Sequence, residues 1–265
     1  MRLAISHTTR YGFDAPPAYG LQQLRLTPKS NAGQRVIDWD IDIEGAQTQA
    51  IFTDEHHNQT HNVAINPGAK AVVITSHGAV EMTDMNGIIG AHSGFTPLWL
   101  FTRSTALTQP ADNLRELSKT LPKNAGVSDF HNLSKTIGER VTYMTGTTEA
   151  ITTAEQALNQ GQGVCQDHAQ IFITAARLAG HPARYVSGYL MMNDRVDQNA
   201  THAWAEVWLD GLGWTGFDVS NGISPDMRYV KLATGLDYKQ AAPISGLTLG
   251  GTNESINVEV HVQQQ

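Results

Sequence analysis

The chain has 265 residues, of which 40% are hydrophobic and 16% charged, and this length allows one or two domains. The net charge of −7 argues against nucleic acid or an anionic membrane as a partner, because both require basic surfaces. The single cysteine excludes an internal disulfide, so packing must stabilise the fold. The N-terminus lacks an apolar stretch long enough for a signal peptide, and we expect a soluble, cytoplasmic protein.

The first hundred residues carry the alternating pattern of β-strands. Larger residues (Leu3, Ile5, His7, Thr9, Tyr11 and Phe13) alternate with smaller or polar ones over 3–13, and isoleucine and tryptophan alternate with aspartate over 37–43. Turn-forming Gly, Pro and Asn residues separate four further β-rich runs, at 21–28, 49–54, 61–66 and 70–76. This pattern predicts an all-β domain over residues 1–105.

The pattern then changes to helical. Residues 110–121 begin with proline and acidic residues, 128–144 place apolar residues at helical spacing, and 152–161 carry a threonine cap and a terminal glycine. A further helix follows Gly163. Strands return at 183–190, 202–209, 213–220 and 255–262. Helices followed by antiparallel strands predict an α+β fold, with residues 106–265 as a second domain in which helices pack on an antiparallel sheet.

The only cysteine, Cys165, stands in the stretch "GQGVCQDHAQIF", where a loop enters a helix. Gly161 and Gly163 allow a tight turn before it. The free N–H groups and positive dipole of a helix N-terminus favour the nucleophilic thiolate, and the N–H of Cys165 could donate to an oxyanion. The alternative for Cys165 is a small buried core residue, which is the commonest environment of a free cysteine.

A histidine and an aspartate follow in positions that suit a thiol nucleophile. The strand "HAWAEVWL" places His202, Trp204, Glu206 and Trp208 on one face, a composition that suggests the wall of a cleft. After the turn "DGLG", the next strand runs back and brings Asp218 beside His202. Taken singly, His202 could be a hydrogen-bonded core histidine and Asp218 a strand-end cap. The ordered set of Cys, His and Asp in one domain favours catalysis.

The segments "GQGVCQDHAQIFITAARLAGHPARYVSGYL" and "THAWAEVWLDGLGWTGFDVSNG" resemble the core of the transglutaminase-like superfamily of bacterial proteins. The opening "HTTRYGFDAPPAYGLQQLRLTP" is similar to the β-rich N-terminal region that accompanies these cores, so the resemblance covers nearly the whole chain. It implies a papain-like core without a cofactor. It also implies a triad in which Cys165 is the nucleophile, His202 the general base and Asp218 the residue that orients the base.

Four further residues are candidates to line the substrate cleft. Asp167 matches the acidic position shortly after the family's cysteine, and it also suits the first helical turn as an acceptor of N–H groups. Tyr185 and Tyr189 alternate along "ARYVSGYL", and Trp204 shares a strand face with the histidine; ordinary packing is the alternative for these aromatic residues. The chain departs from the family pattern at Gln240, where an acidic residue is common.

The stretch "HHNQTH" contains His56, His57 and His61 and raises the question of a metal site. Zinc sites need three or four convergent ligands, and neither H-E-x-x-H nor paired-cysteine spacing is present. The stretch lies between two predicted strands and is better explained as a polar hairpin turn. We therefore expect no metal and no other cofactor.

The sequence supports three functional hypotheses. The leading one is thiol-dependent acyl transfer on amide bonds through a cysteine acyl-enzyme, with water as the acceptor, which describes a cysteine protease or amidase acting on a peptide or protein. A lysine amine as the acceptor would instead make a protein-glutamine transglutaminase that cross-links proteins, and the same chemistry with water would deamidate glutamine. The third hypothesis is a binding module that retains the fold without turnover. The sequence does not predict the oligomeric state.

Overall fold

The computed structural model describes residues 1–265, apart from the side chain of Thr252. The N-terminal part consists of strands whose side chains alternate between buried and exposed, as the period-two pattern predicts. Six strands lie in this part: β1 (Arg2–Ala15), β2 (Tyr19–Thr27), β3 (Gln34–Glu44), β4 (Ala46–Thr53), β5 (Gln59–Ile65) and β6 (Ala71–Met82). A short strand, β7 (Ile88–Gly90), and a 3-10 helix (Leu98–Thr102) follow.

The middle of the chain is helical. Four helices and two very short strands follow one another: α1 (Asp112–Ser118), α2 (Val127–Arg140), β8 (Thr142–Tyr143), α3 (Ala154–Gln160), β9 (Gln162–Gly163) and α4 (Cys165–Leu178). The helix predicted to run to residue 144 ends at Arg140, because Thr142 and Tyr143 pair in parallel with Gln162 and Gly163. The chain segment before Cys165 is thereby attached to the end of α2.

The rest of the chain returns to strands and one short helix: β10 (Ala183–Leu190), β11 (Asp197–Gln198), β12 (His202–Leu209), β13 (Gly213–Phe217), β14 (Tyr229–Gly235), α5 (Tyr238–Ala241), β15 (Ile244–Leu249) and β16 (Thr252–Gln264). A five-stranded antiparallel sheet with the order β14-β10-β12-β13-β7 forms the centre of this part, and we call it the core sheet. Helix α4 packs against β12 and β10 of the core sheet. The predicted α+β class is confirmed.

Two further sheets enclose a second core, and we call them together the N-terminal sandwich. Their strand orders are β11-β16-β1-β6-β3 and β15-β2-β5-β4. The core of the sandwich includes Leu3, Leu24, Val63 and Ile74, all fully buried, and it continues onto Val230 of the core sheet. Among the helices of the described chain, none combines the length and the apolar character that a bilayer crossing needs.

Strand pairing crosses the predicted division of the chain at residue 105 in both directions. The last two strands, β15 and β16, pair with β2 and β1 of the N-terminal sandwich. Conversely, β7 lies before residue 105 and forms the edge of the core sheet beside β13. The division into 1–105 and 106–265 as folding units stays a prediction, but the two ends of the chain share one sandwich.

Candidate active site

Cys165 is the first residue of α4, as the loop-to-helix pattern predicts. Val164 before it is extended, with φ −116° and ψ −176°, so the helix begins abruptly at the cysteine. The first N–H groups of a helix have no partner within it, and the positive end of the helix dipole stabilises negative charge nearby. The Cys165 side chain is largely buried but borders a cleft.

Asp167 determines where α4 begins. Its Oδ2 accepts hydrogen bonds from the Val164 N–H at 2.8 Å and from Thr148 Oγ1 at 2.6 Å. Asp167 lies so close to Gly163 that a Cβ on Gly163 would come within 2.8 Å of the Asp167 carboxylate, which explains the glycine. Asp167 is only 1% exposed. Asp167 is therefore a buried residue that holds the backbone just before Cys165. The expectation that it lines the substrate cleft is corrected.

His202 and Asp218 lie side by side, as the predicted hairpin requires. His202 begins β12 and Asp218 directly follows β13, and these two strands pair in antiparallel register. The distance from His202 Nε2 to Asp218 Oδ2 is 2.7 Å, and both side chains are buried. Because Nε2 is engaged by the carboxylate, Nδ1 is the ring nitrogen left for the Cys165 thiol.

Asp218 is held by several donors besides His202. Its Oδ2 also accepts from the Tyr229 hydroxyl at 2.7 Å and from Asn221 Nδ2 at 2.6 Å. Its Oδ1 accepts from the backbone N–H groups of Ser220 and Asn221 at 3.0 and 3.3 Å. A carboxylate with five donors has one orientation, and it can fix the plane of the imidazole ring.

The charges of this pair stabilise each other. Burial alone would raise the pKa of Asp218, but the hydrogen bond and charge of His202, with the bonds from Asn221 and Tyr229, hold it below its usual value. Burial alone would lower the pKa of His202, but its hydrogen bonds with Asp218 and Cys165 raise it to about 10. The carboxylate of Asp218 thus stays ionised and accepts a hydrogen bond from His202 Nε2–H.

The thiol and the imidazole open onto a cleft of about 500 Å³. Besides Cys165 and His202, the cleft is lined by Tyr143, Thr145, Met192, Arg195, Gln198, Asn199, Ala200, Thr201, Ser220 and Asn221. A thiol beside an imidazole that a carboxylate orients can lose its proton to the ring and attack a carbonyl carbon. Of the three residues proposed from the sequence as a catalytic set, Cys165 and His202 therefore line one cleft, and Asp218 is buried behind them, bonded to His202.

The aromatic residues proposed for the cleft lie elsewhere. Tyr185 is buried in the core beneath α4 and packs against Tyr238, with ring centroids 6.1 Å apart. Tyr189 is buried in the sandwich core, where its hydroxyl lies 3.0 Å from His7 Nδ1. Trp204 does not line the cleft, but its ring stacks on that of His202 with centroids 6.3 Å apart. These expectations are corrected: Trp204 supports the histidine, and the two tyrosines are core residues.

The residues that surround the triad leave little signal in the sequence. His168, on α4, lies 2.9 Å from Ser220 Oγ and 2.9 Å from the Val141 carbonyl oxygen, and so ties the loop after Asp218 to the nucleophile helix. Asn221 was visible only as part of a turn, "SNG", where asparagine is common for its own backbone reasons. The pattern around Tyr229 indicates a buried strand and gives no sign of a hydrogen bond to Asp218.

Comparison with known proteins agrees with this architecture. The family described as "Transglutaminase-like superfamily" matches residues 115–219, and the "Bacterial transglutaminase-like N-terminal region" matches residues 3–81. Uncharacterized proteins from Mycobacterium leprae and Mycobacterium tuberculosis are 25% and 28% identical to 98% of this chain, over 98% and 92% of their own lengths. The crystal structure of a candidate cysteine protease from Cytophaga hutchinsonii shares the fold, with a TM-score of 0.75, 19% identity and coverage of 99% of this chain and 98% of that one.

Proposed function

Because this chain belongs to the transglutaminase-like superfamily, we propose that it hydrolyses amide bonds of a peptide or protein through an acyl-enzyme on Cys165. One observation carries the proposal. His202 lies between a carboxylate with five hydrogen-bond donors and the thiol at the start of α4, and the thiol and imidazole face one cleft.

In the proposed mechanism, the raised pKa of His202 favours a pair in which Nδ1 already holds the thiol proton, and the Cys165 thiolate attacks the carbonyl carbon. The negative charge moves to the carbonyl oxygen, where the N–H of Cys165 can donate because it has no partner within the helix. The imidazolium then protonates the leaving nitrogen, the C–N bond breaks and a thioester remains. Water, deprotonated by His202, attacks the thioester, and the carboxylic acid product leaves as the thiol is restored.

Asp218 acts on His202 and not on the substrate. By accepting a hydrogen bond from Nε2–H it keeps that proton on Nε2, so that Nδ1 is the nitrogen that exchanges protons, and its charge stabilises the imidazolium in both halves of the cycle. Tyr229 and Asn221 hold the carboxylate in place at 2.7 and 2.6 Å.

The charge of the cleft supports water over a lysine amine as the acceptor. Within the part of the chain that the structure describes, no acidic side chain lines the cleft, and Arg195 adds a positive charge. A lysine ammonium approaching the thioester would find no carboxylate in the cleft lining and would meet the positive charge of Arg195, which Asp194 at 3.6 Å only partly offsets. Water carries no such penalty.

Intact-mass analysis of reaction mixtures tests the proposal. The protein is incubated with a peptide library that contains glutamine, with and without an added lysine-like amine, and with Cys165→Ala as the matched control. Hydrolysis predicts cleaved or deamidated peptides that are insensitive to the amine and absent with the variant. Amine-adduct formation as the main product would show a transglutaminase, and no product with a well-folded protein across the library would favour a binding module.

A further inference from the structure

A second cavity, of about 440 Å³, lies where loops of the N-terminal sandwich meet the core sheet. Arg184 and Lys231 line it from the sheet, and Lys29, His56 and His57 line it from the loops. We call it the basic cavity. The two histidines belong to the turn between β4 and β5, where the predicted polar hairpin is confirmed.

The basic cavity is separate from the cleft at Cys165. None of the described residues that line one cavity also lines the other. Arg184 lies on β10 between Ala183 and Tyr185, which are both part of the core beneath α4. Because successive side chains of a strand point to opposite faces, Arg184 points away from α4.

Positive charge exceeds negative charge in the basic cavity. Glu206 is fully buried and forms ion pairs with two cations, Arg184 at 2.7 Å and Lys231 at 2.5 Å. The third cation, Lys29, reaches only neutral acceptors, the His56 carbonyl oxygen at 3.0 Å and Asn58 Oδ1 at 3.3 Å. Three cations therefore share a single carboxylate.

Two other carboxylates lie near the basic cavity: the exposed Glu55, 3.9 Å from His56 Nε2, and the buried Asp54, which is already neutralised. Asp54 pairs with Arg25 at 3.1 Å and also accepts from Asn58. Among the residues that the structure describes, no aspartate or glutamate side chain lines the basic cavity itself. With Lys29, Lys231 and Arg184 all protonated, the lining of the basic cavity therefore carries two more positive charges than Glu206 can pair.

Crowding of these cations is costly. Burial first, and then the charges of Lys231 and Arg184, lower the pKa of Lys29 to about 7. Burial also lowers the pKa of Lys231 to about 8, even though Glu206 acts in the opposite direction. Buried charges are normally paired, and a bound anion would remove the cost.

Two buried histidine nitrogens of this lining also lack a partner, Nδ1 of His56 and Nε2 of His57. His56 Nε2 lies 2.9 Å from Gln240 Oε1, which also accepts from the Leu236 N–H, so Nε2 carries the proton. Burial lowers the pKa of His56, which leaves the ring neutral and Nδ1 an acceptor. Nδ1 is buried and has no partner. An acceptor beside three cations suits a ligand that carries both negative charge and a hydroxyl hydrogen.

We propose that the basic cavity binds a phosphate group, either as inorganic phosphate or as part of a phosphate monoester. A phosphate dianion matches the surplus of two positive charges, and the O–H for His56 Nδ1 comes from hydrogen phosphate itself or from a hydroxyl of the ester's alcohol group. Its several oxygens can accept from Lys29, Lys231 and Arg184, which all line the cavity. The volume of about 440 Å³ exceeds that of one phosphate and leaves room for an ester group.

Calorimetric titration of the full-length protein at constant ionic strength tests this proposal. Inorganic phosphate, glycerol phosphate and succinate are the three titrants. We expect saturable binding of one equivalent of at least one phosphate compound. Whichever of the two binds more tightly shows whether the site takes free phosphate or a phosphate ester. The proposal is overturned if neither phosphate compound saturates, or if succinate binds as tightly as they do.

Two matched variants locate the site. Lys29→Gln should weaken phosphate binding by about tenfold or more, because it removes a charged donor, whereas Lys123→Gln at an exposed position should leave it unchanged. Equal affinity in the wild type and in Lys29→Gln would place the anion elsewhere.

A measurement on the wild type does not depend on how the variants fold. Acetic anhydride labels lysines, and mass spectrometry of the digest reports the labelling of each one. Saturating phosphate should suppress acetylation of Lys29 and leave that of Lys123 unchanged. Undiminished labelling of Lys29 at saturation would refute the proposed site.

Discussion

The Tyr229 hydroxyl and His202 Nε2–H donate hydrogen bonds to the same oxygen of Asp218, and both distances are 2.7 Å. The tyrosine comes from β14 and the histidine from β12, so two strands of the core sheet hold one carboxylate. The base of the proposed mechanism is therefore oriented by a network and not by a single pair.

Tyr229→Phe tests this network. The variant removes one donor to a buried carboxylate, and we expect the rate to fall by about tenfold, with about 1–3 kcal/mol lost from the free energy of unfolding. Peptide hydrolysis and urea denaturation on the same preparation provide both values. A wild-type rate in the folded variant would show that Tyr229 serves only stability.

Asp218→Asn should have a larger effect on the rate. An amide can offer one oxygen to the three donors that now converge on Oδ2, and it no longer stabilises an imidazolium. We expect a loss of activity of about 100-fold or more per folded molecule. The folded fraction is measured by circular dichroism before each assay. If activity merely followed that fraction, Asp218 would be a structural residue.

The His202–Asp218 pair makes stability depend on pH. The pKa of His202 is raised from 6.5 to about 10, so its contribution is complete below pH 6.5, declines above it and is lost once the pH passes about 10. The pKa of Asp218 is lowered from 3.8, so its contribution is present above pH 3.8 and is lost as the pH falls through the lower value.

Urea denaturation at pH 6 and pH 9 measures this dependence. The free energy of unfolding of the wild type should be lower at pH 9, and His202→Gln should show a smaller difference between the two pH values. An identical difference in both proteins would mean that the pair does not contribute in this range.

Alkylation reports the state of Cys165 directly, because the chain has no other cysteine. Iodoacetamide should modify the native protein at pH 7, and His202→Gln should slow the reaction by about tenfold or more, since the imidazole no longer accepts the thiol proton. Intact mass gives the time course. Modification that appears only after denaturation would show that Cys165 is an inaccessible core residue and not a nucleophile.

Two glycine substitutions separate the start of α4 from a general effect of added methyl groups. Gly163→Ala would place a Cβ within 2.8 Å of Asp167, and we expect about 1–3 kcal/mol of destabilisation with loss of activity. Gly126, before α2, has a negative φ and open space around the added Cβ, so Gly126→Ala should be close to neutral. Thermal melts and peptide assays of both variants are compared. Similar behaviour of the two would argue against the proposed role of Asp167 in placing Cys165.

The sequence by itself predicted the features that depend on neighbouring residues. The start of α4 at Cys165 follows from its two glycines and the helical pattern behind it, and the pairing of His202 with Asp218 follows from a hairpin with a short turn. The alternating and helical patterns also predicted the fold class. These features were predictable because hydrogen bonding and burial along one short segment determine them.

Only the tertiary structure decided which element covers each buried residue. Tyr185 and Tyr189 have the same parity on β10, yet α4 covers the first and the N-terminal sandwich covers the second. Likewise, the pairing of β16 with β1 and the convergence of Lys29 with Arg184 join residues far apart in the chain. The physical reason is that a periodic pattern indicates which side chains are buried. It does not record which distant surface they meet, because that choice depends on how the sheets pack.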